Sequence, residues 1–265
     1  MIRASLLAFA GTMVAFSALA DEGELRALCP DRPGKGTSAC TVDAGHFQLE
    51  VDAFDGTFQR QDGVTNDTYF VADPTLKFGV TDNWDIEASI APVEIIHTRN
   101  GVGSRTDTGI GDLFLRTKAN LSGNEGGNWG VAIEPFLKIP TARAAIGNGY
   151  VEGGALVPLS LDLGNGWSVA STPEIDVLHD EARVGYHADI INVIGVGRAV
   201  NDVTLGMEAW SSSDLDPSGS SQQYSLDFDV AWQPDGDTQL DGGIDVGMNH
   251  QTPGAQVYMG VSRRF

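Results

Sequence analysis

Strict alternation of apolar and polar residues dominates the chain from about residue 46 to its end. In the stretch 238–249, Leu240 and Ile244 fall in one phase, whereas Asp241 and Asp245 fall in the other. Successive side chains of a β-strand point to opposite faces of the sheet, so a period of two residues is the strand signature. No helical stripe of useful length interrupts this pattern, which therefore predicts an all-β protein.

The alternation resolves into twelve segments that are separated by turn-forming residues. They cover 46–59, 68–80, 84–97, 109–121, 129–140, 150–163, 167–178, 185–199, 203–212, 222–233, 238–249 and 255–265. Tight connections, such as 81–83 and 201–202, alternate with generally longer polar ones, such as 61–67 and 98–108. Outer-membrane barrels have this layout, with short periplasmic turns and longer outer loops. We therefore predict a closed antiparallel up-and-down transmembrane β-barrel of about 12 strands.

A soluble β-sandwich also alternates, but the distribution of charge and of tryptophan favours the membrane barrel. The apolar phase is nearly free of charge, with Glu94 and Arg263 as exceptions near strand ends, whereas the other phase is rich in charge and glycine. An aromatic girdle at one rim of a barrel is predicted at Trp84, Trp129, Trp167 and Trp232, which all lie in the apolar phase beside short turns. Tyr186 and Tyr224 begin strands at the opposite rim.

Both ends of the chain carry export features. Residues 1–20 combine Arg3, a short apolar run and an A-x-A pattern, and together they predict a cleaved signal peptide. The apolar run is too short to span the ~30 Å of membrane hydrocarbon. The last strand ends on Phe265, which resembles the signal read by the outer-membrane insertion machinery. We therefore predict a location in the outer membrane of a Gram-negative bacterium, with outer-membrane lipid and the insertion machinery as partners.

Residues 21–45 have little strand pattern and precede the barrel at 46–265. This segment contains the two cysteines, Cys29 and Cys40, and an even number of cysteines in an exported chain favours a disulfide. Two thiols without a nearby histidine pair make a poor zinc site. The segment either hangs in the periplasm or folds back as a plug, in which case Arg26, Arg32 and Lys35 would pair with acids of the lumen.

The formal net charge of −20 argues against nucleic acid as a partner. By strand phase, the predicted lumen-lining acids are Glu50, Asp52, Asp85, Glu87, Asp112, Glu134, Glu152, Asp162, Glu174, Asp176, Glu208, Asp227, Asp229, Asp241 and Asp245. The predicted lumen-lining bases are Lys77, Arg116, Lys118, Lys138 and Arg264. A water-filled lumen with this excess of acids would enrich cations, whereas paired charges would fill a narrow barrel. Twelve strands lie between the filled and open cases, so barrel size does not decide.

Two features complicate the strand assignments. The alternation changes phase near Phe54 and again near Ile190–Ile191, so we assign no inward positions there. Proline cannot donate to a strand ladder. We therefore expect local bulges at Pro74, Pro92, Pro135, Pro158 and Pro173.

The sequence offers weak candidates for catalysis or metal binding. His187 and Asp189 share a strand face with Ser168 or Ser171 one strand away, but a hydrolase needs a tighter arrangement. A metal site at His179, Asp180 and His187 is weaker still. No phosphate loop, dinucleotide fingerprint or zinc spacing is present. We expect no enzymatic activity, cofactor or metal.

Four stretches of the chain resemble a known family. They are DRPGKGTSACTVDAGHFQLEVD at 31–52, FGVTDNWDIEASI at 78–90, GIGDLFLRTKANL at 109–121, and the stretch from KIPTA to GNG at 138–149. They are similar to the family described as Putative MetA-pathway of phenol degradation, over nearly all of the mature chain. The resemblance implies an exported β-barrel, often labelled a transporter, that is linked by name to aromatic catabolism and carries no catalytic residues.

These observations lead to two hypotheses about function. The first is an outer-membrane channel or transporter for passive passage of small solutes. The resemblance suggests aromatic or hydrophobic compounds as the solute, whereas the acidic lumen suggests cations. The alternative is a plugged, non-conducting barrel with a structural or adhesive role that acts through its outer loops.

Overall fold

The computed structural model describes residues 25–182 and 184–265, so the signal peptide predicted at 1–20 lies outside the described residues. The described chain forms the strands β1 (Phe47–Gln61), β2 (Val64–Thr81), β3 (Trp84–Ile90), β4 (Val93–Arg99), β5 (Ser104–Gly109), β6 (Leu113–Ser122), β7 (Trp129–Ile139), β8 (Glu152–Leu156), β9 (Leu159–Gly164), β10 (Trp167–His179), β11 (Tyr186–Val200), β12 (Val203–Asp214), β13 (Ser221–Asp235), β14 (Thr238–Gly247) and β15 (Ala255–Arg264). Within these residues no helix is long and apolar enough to cross a membrane.

The strands close into an antiparallel barrel because β1 pairs with both β2 and β15. Three wall strands are interrupted, so that β3 continues into β4, β5 into β6, and β8 into β9. Counting each interrupted strand once gives twelve spanning strands, and each matches one of the twelve alternating segments. The predicted fold class is therefore confirmed.

Two of the predicted proline bulges are strand breaks, whereas each of the other prolines remains paired with one neighbouring strand. Pro92 lies between β3 and β4, and Pro158 between β8 and β9. The break at Pro92 changes the strand phase, so Glu94 lines a lumen cavity with Asp112. The assignment of Glu94 to the apolar outer phase was therefore wrong. Pro74, Pro135 and Pro173 are paired with no register shift at those positions.

The two apparent phase changes have different causes. In β1, Ala53 is left out of the pairing with β15, and this bulge turns both Asp52 and Asp55 toward one lumen cavity. The pairing of β11 with β10 is continuous. Val193 of β11 is only 3% exposed, while Ile190 and Ile194 are exposed on the other face. An apolar side chain that faces the lumen produced the false signal of a phase change in β11.

Burial is inverted relative to a soluble protein. Large apolar side chains such as Leu205, Phe228 and Met259 are exposed on the outer face, whereas many charged side chains are buried on the inner face. The tryptophans predicted for the girdle, Trp84, Trp129, Trp167 and Trp232, are all exposed beside the tight turns of one rim. Tyr186 and Tyr224 are exposed near the opposite rim. An apolar outer band with aromatic borders suits a surrounding bilayer.

The rims differ from the predicted connections at one place in particular. Residues 61–67 were expected to form a long loop, but β1 and β2 extend to a two-residue turn at Asp62–Gly63. Both turn residues have positive φ, at 50° and 78°, which matches the twist of a tight hairpin. At the other rim, Phe265 N donates to Phe47 O at 2.8 Å, so the last residue pairs with the first strand.

Candidate functional site

Residues 25–45 lie inside the barrel and contact side chains from most of its wall. We call this segment the plug. A disulfide joins Cys29 to Cys40, with the two Cα atoms 6.3 Å apart, and closes the loop that carries the main wall contacts. Leu28, Ala39 and Val42 of the plug are buried. Of the two placements considered from the sequence, the structure has the segment in the lumen.

The centre of the contact between plug and wall is a buried ionic network. Asp31 of the plug contacts Lys77 of β2 and Lys118 of β6, and its Oδ1 lies 2.6 Å from the Lys118 Nζ. The same Nζ lies 3.2 Å from Glu134 of β7, and the Lys77 Nζ lies 2.6 Å from Glu50 of β1. Lys118 is completely buried. Each lysine contacts both Asp31 of the plug and a glutamate of the wall. Removing either the plug acid or the wall acid would therefore leave a buried lysine without one of its partners.

Electrostatics strengthen the attachment of Asp31. Burial alone would raise the pKa of Asp31, but the ammonium groups of Lys118 and Lys77 outweigh burial and hold the pKa well below its usual range. A depressed pKa in the folded state adds stability that is present above the unfolded value of about 3.9 and is lost only as the pH falls through the folded value. The Asp31 attachment should therefore persist in mildly acidic medium.

Two further plug cations hold the opposite part of the wall. Arg32 contacts Asp52 of β1 and lies 2.7 Å from Asp241 of β14, so it bridges strands on both sides of β15. Lys35 contacts Asp245 and lies 3.1 Å from Asp227. The sequence hypothesis of a plug named Arg32 and Lys35 for this kind of pairing.

The loop beside these cations uses backbone donors and an aromatic ring. Glu208 accepts hydrogen bonds from the backbone N–H groups of Lys35, at 2.8 Å, and Gly36. The Lys35 Nζ lies 5.4 Å from the ring centre of Trp210. Sequence reasoning missed Trp210 as a lumen residue, although its polar-phase position between Glu208 and Ser212 indicates an inward side chain.

Both ends of the plug are attached to the last strand. Arg264 of β15 lies 2.8 Å from Asp43 and donates a hydrogen bond to the carbonyl of Arg26. Arg26 contributes a second ion pair to Asp43 at 2.6 Å. Arg264, predicted as a lumen base, thus connects the final strand to the plug.

The remaining predicted lumen residues can be placed by burial. The buried acids are Glu50, Asp85, Glu87, Glu134, Glu152, Asp227, Asp241 and Asp245, and the half-buried acids are Asp52, Asp112, Glu174, Asp176, Glu208 and Asp229. Among the bases, Lys77, Lys118, Lys138 and Arg264 are buried and Arg116 is half-buried. Asp162 differs from its predicted place in the lumen wall, because it is exposed and accepts a hydrogen bond from Gly164 N in a rim turn.

The structure brings together Asp180 and His187 of the weak metal candidate, but it separates the catalytic candidates. His187 Nδ1 lies 3.0 Å from Asp180 and 3.7 Å from Asp216, near the outer rim. Ser168 and Ser171 pair with Gly197 and Ile194 of β11, far along the strand from His187. His179 stacks on Tyr150 with a ring separation of 3.3 Å. The residues proposed for a hydrolase or for a metal at His179 therefore do not form one site.

Comparison with solved structures supports the architecture. The COG4313 outer membrane channel from Pseudomonas putida F1 has 14% sequence identity and a TM-score of 0.68, with 88% of this chain and 99% of that chain covered. The β domain of the Bordetella autotransporter BrkA has 12% identity and a TM-score of 0.53, covering 84% and 100%. The translocator domain of the autotransporter NalP from Neisseria meningitidis has 12% identity and a TM-score of 0.50, covering 83% and 88%. These TM-scores show a shared barrel fold, which by itself does not select a function.

Sequence comparison gives a more specific result. The family model described as Putative MetA-pathway of phenol degradation matches residues 30–265, which confirms the resemblance seen in the sequence. No curated protein sequence matches the chain significantly.

Proposed function

The chain belongs to the Putative MetA-pathway of phenol degradation family, and from this premise and its plugged lumen we propose that it is an outer-membrane channel for small solutes. Passage is passive, along the gap between plug and wall. The chain is exported by its signal peptide, and Phe265 serves as the signal for insertion into the outer membrane of a Gram-negative bacterium. Aromatic or other hydrophobic compounds are the solute class that the family description favours.

The observation that carries this proposal is space on two sides of the plug. A cavity of about 290 Å³ lies beside Asp31–Thr37 toward β1 and β2, and one of about 370 Å³ lies beside the same residues toward β10–β13. The second cavity borders Gly195, Gly197 and Gly206 of the wall. The plug therefore narrows the lumen without filling it.

The interior also offers an apolar surface to a solute. Trp210 and Pro253 border a smaller cavity of about 180 Å³ beside Lys35. An aromatic ring combined with a few polar groups is a common lining for a site that binds small molecules. This surface supports aromatic solutes as the favoured class.

The alternative, a plugged barrel that conducts nothing and acts through its outer loops, is favoured by the ionic network alone. Asp31 joins two buried lysines, and such contacts hold the plug firmly in place. The two proposals differ in whether the gap conducts.

Deleting residues 21–40 is expected to raise single-channel conductance in planar bilayers, because it removes Asp31, Arg32 and Lys35 from the lumen. Liposome swelling with a neutral aromatic solute should accelerate in parallel. The matched control is the double variant C29S/C40S, which removes the disulfide but keeps every plug side chain that contacts the wall. Retained heat-modifiable migration on gels would show that both barrels are folded.

The outcomes separate the two candidates. An unchanged current after the deletion would contradict the role of the plug as the narrowing element. A folded wild-type barrel that passes neither ions nor solute would replace the channel with the non-conducting alternative.

A further inference from the structure

The cavity between the plug and strands β1, β2 and β15 carries an excess of negative charge. Seven carboxylates and four cationic side chains line it, so three negative charges lack a counter-charge within the lining. The four cations, Arg32, Lys35, Lys77 and Arg116, are already in ion pairs. Outside the cavity lining, Lys118 adds one cation that contacts Asp31, Glu87 and Glu134, whereas Asp241 and Asp227 add two acids that contact Arg32 and Lys35, so the excess of negative charge remains.

Asp55 has the least compensated charge of this lining. Among the described residues no ion pair includes Asp55, and its contact is a hydrogen bond that Gln256 Nε2 donates to Oδ2 at 2.7 Å. The other carboxylate oxygen, Oδ1, is buried and accepts no hydrogen bond from the described residues. The bulge at Ala53 points this side chain into the lumen.

Two strongly buried side chains next to Asp55 present further oxygens without partners. Asp245 Oδ1 and the Tyr258 hydroxyl are buried and have no hydrogen-bond partner among the described residues. Asp245 is 3% exposed and Tyr258 is 6% exposed, and both line the cavity. A buried polar oxygen without a partner destabilises the fold, so a ligand that satisfies several of them is favoured.

Strand register places these three residues on one patch of the wall. Asp55 of β1 pairs directly with Tyr258 of β15, and Asp245 of β14 pairs with Gln256 of β15. Directly opposed side chains on neighbouring strands have Cβ atoms about 4.5–5.5 Å apart. The patch thus combines two carboxylates, of which Asp245 also contacts Lys35, with the Tyr258 hydroxyl, which lies beside Gly243; all three offer hard oxygen donors.

We propose that Asp55, Asp245 and Tyr258 form a binding site for a singly charged cation, either an alkali-metal ion or the primary ammonium group of a small amine. Both share the chemistry of one positive charge surrounded by oxygen donors. If the barrel is the proposed channel, this site should make it prefer cationic solutes over anions of equal size, so the consequence for transport rests on the proposed function. Binding itself does not depend on conduction.

The test uses the full folded barrel and the double variant D55N/Y258F. Asparagine keeps the hydrogen bond from Gln256 and phenylalanine keeps the ring, so the plug anchors at Arg32 and Lys35 are left in place. The matched control is D62N/Y224F, which makes the same chemical changes at exposed positions of the outer rim. The reversal potential in a potassium chloride gradient measures cation-to-anion selectivity.

We expect the wild-type barrel to prefer potassium over chloride and D55N/Y258F to lose roughly threefold or more of this preference, because a focused negative charge concentrates counter-ions. The control should match wild type. Equal selectivity in all three barrels would overturn the site.

A second readout distinguishes failure of the site from failure of the channel. Thermal unfolding in detergent is compared in potassium, methylammonium and N-methylglucamine chlorides at equal ionic strength. A higher unfolding temperature in potassium alone identifies an alkali-metal site, and one in methylammonium as well identifies an ammonium site; either should vanish in D55N/Y258F. A barrel that binds cations but carries no current would refute the channel and leave the site standing. Identical shifts in wild type and variant would mean that the cations act elsewhere on the barrel, and they would overturn the site.

Discussion

Replacing Lys118 with methionine is expected to lower the free energy of unfolding of the barrel by roughly 3–5 kcal/mol, because breaking a buried ionic group leaves uncompensated charge. The Lys118 Nζ lies between Asp31, Glu134 and Glu87, at 2.6, 3.2 and 3.7 Å. Methionine has a similar length, so the packing changes little while the charge is lost. Equilibrium unfolding in guanidinium, followed by tryptophan fluorescence in detergent, measures the effect.

The matched control for this prediction is Arg263→Met. Arg263 forms an exposed ion pair with Asp235 at the rim, and exposed pairs contribute only about 0–1 kcal/mol. The double variant K118M/E134Q should recover part of the loss, because it removes one of the stranded carboxylates. A loss below about 1 kcal/mol in K118M would mean that water screens the network, contrary to its burial.

Placing arginine on the outer face at the middle of the barrel is expected to destabilise it by roughly 2–4 kcal/mol in a bilayer. Phe228 lies at the centre of β13, with 45% of its surface exposed on the apolar side. Arginine at this depth must leave water for hydrocarbon or draw water and headgroups inward. Unfolding of Phe228→Arg from phospholipid vesicles measures the effect.

A substitution on the same face of the same strand provides the depth control. Gln222 lies near the outer rim of β13, where Gln222→Arg should change the stability by about 0–1 kcal/mol. If both variants lose the same stability, the apolar outer face of β13 does not lie in hydrocarbon. Loss confined to Phe228→Arg supports a membrane-spanning strand.

The wall of the barrel was predictable because its rules are local. A period of two residues identified each spanning strand, since one face meets apolar surroundings and the other meets charge. Proline gave a local signal at Pro92 and Pro158, where strands break, because a missing N–H interrupts a ladder, but the same signal at Pro74, Pro135 and Pro173 accompanies no break. The hairpin at Asp62–Gly63 also had a local signal in its Asp-Gly pair, but the polar residues around it were interpreted as a loop.

The lumen was only partly predictable because its contacts join distant parts of the chain. The alternation along each strand predicted which acids face inward. It could not predict that Asp31 contacts Lys118 or that Arg32 contacts Asp241, because these pairs lie 87 and 209 residues apart in the sequence. Asp55 was missed because the bulge at Ala53 reverses the phase just before it. A bulge of this kind follows from the pairing of both neighbouring strands, and one strand's sequence does not specify it.

The contacts of Arg32 and Arg264 connect the junction between the first and last strands to the plug. Arg32 joins β1 to β14 across the final strand, and Arg264 of that strand holds Asp43. Separating the first and last strands would therefore also break at least one of the two ion pairs of Arg32. We therefore expect closure of the cylinder and occupation of its interior to depend on each other.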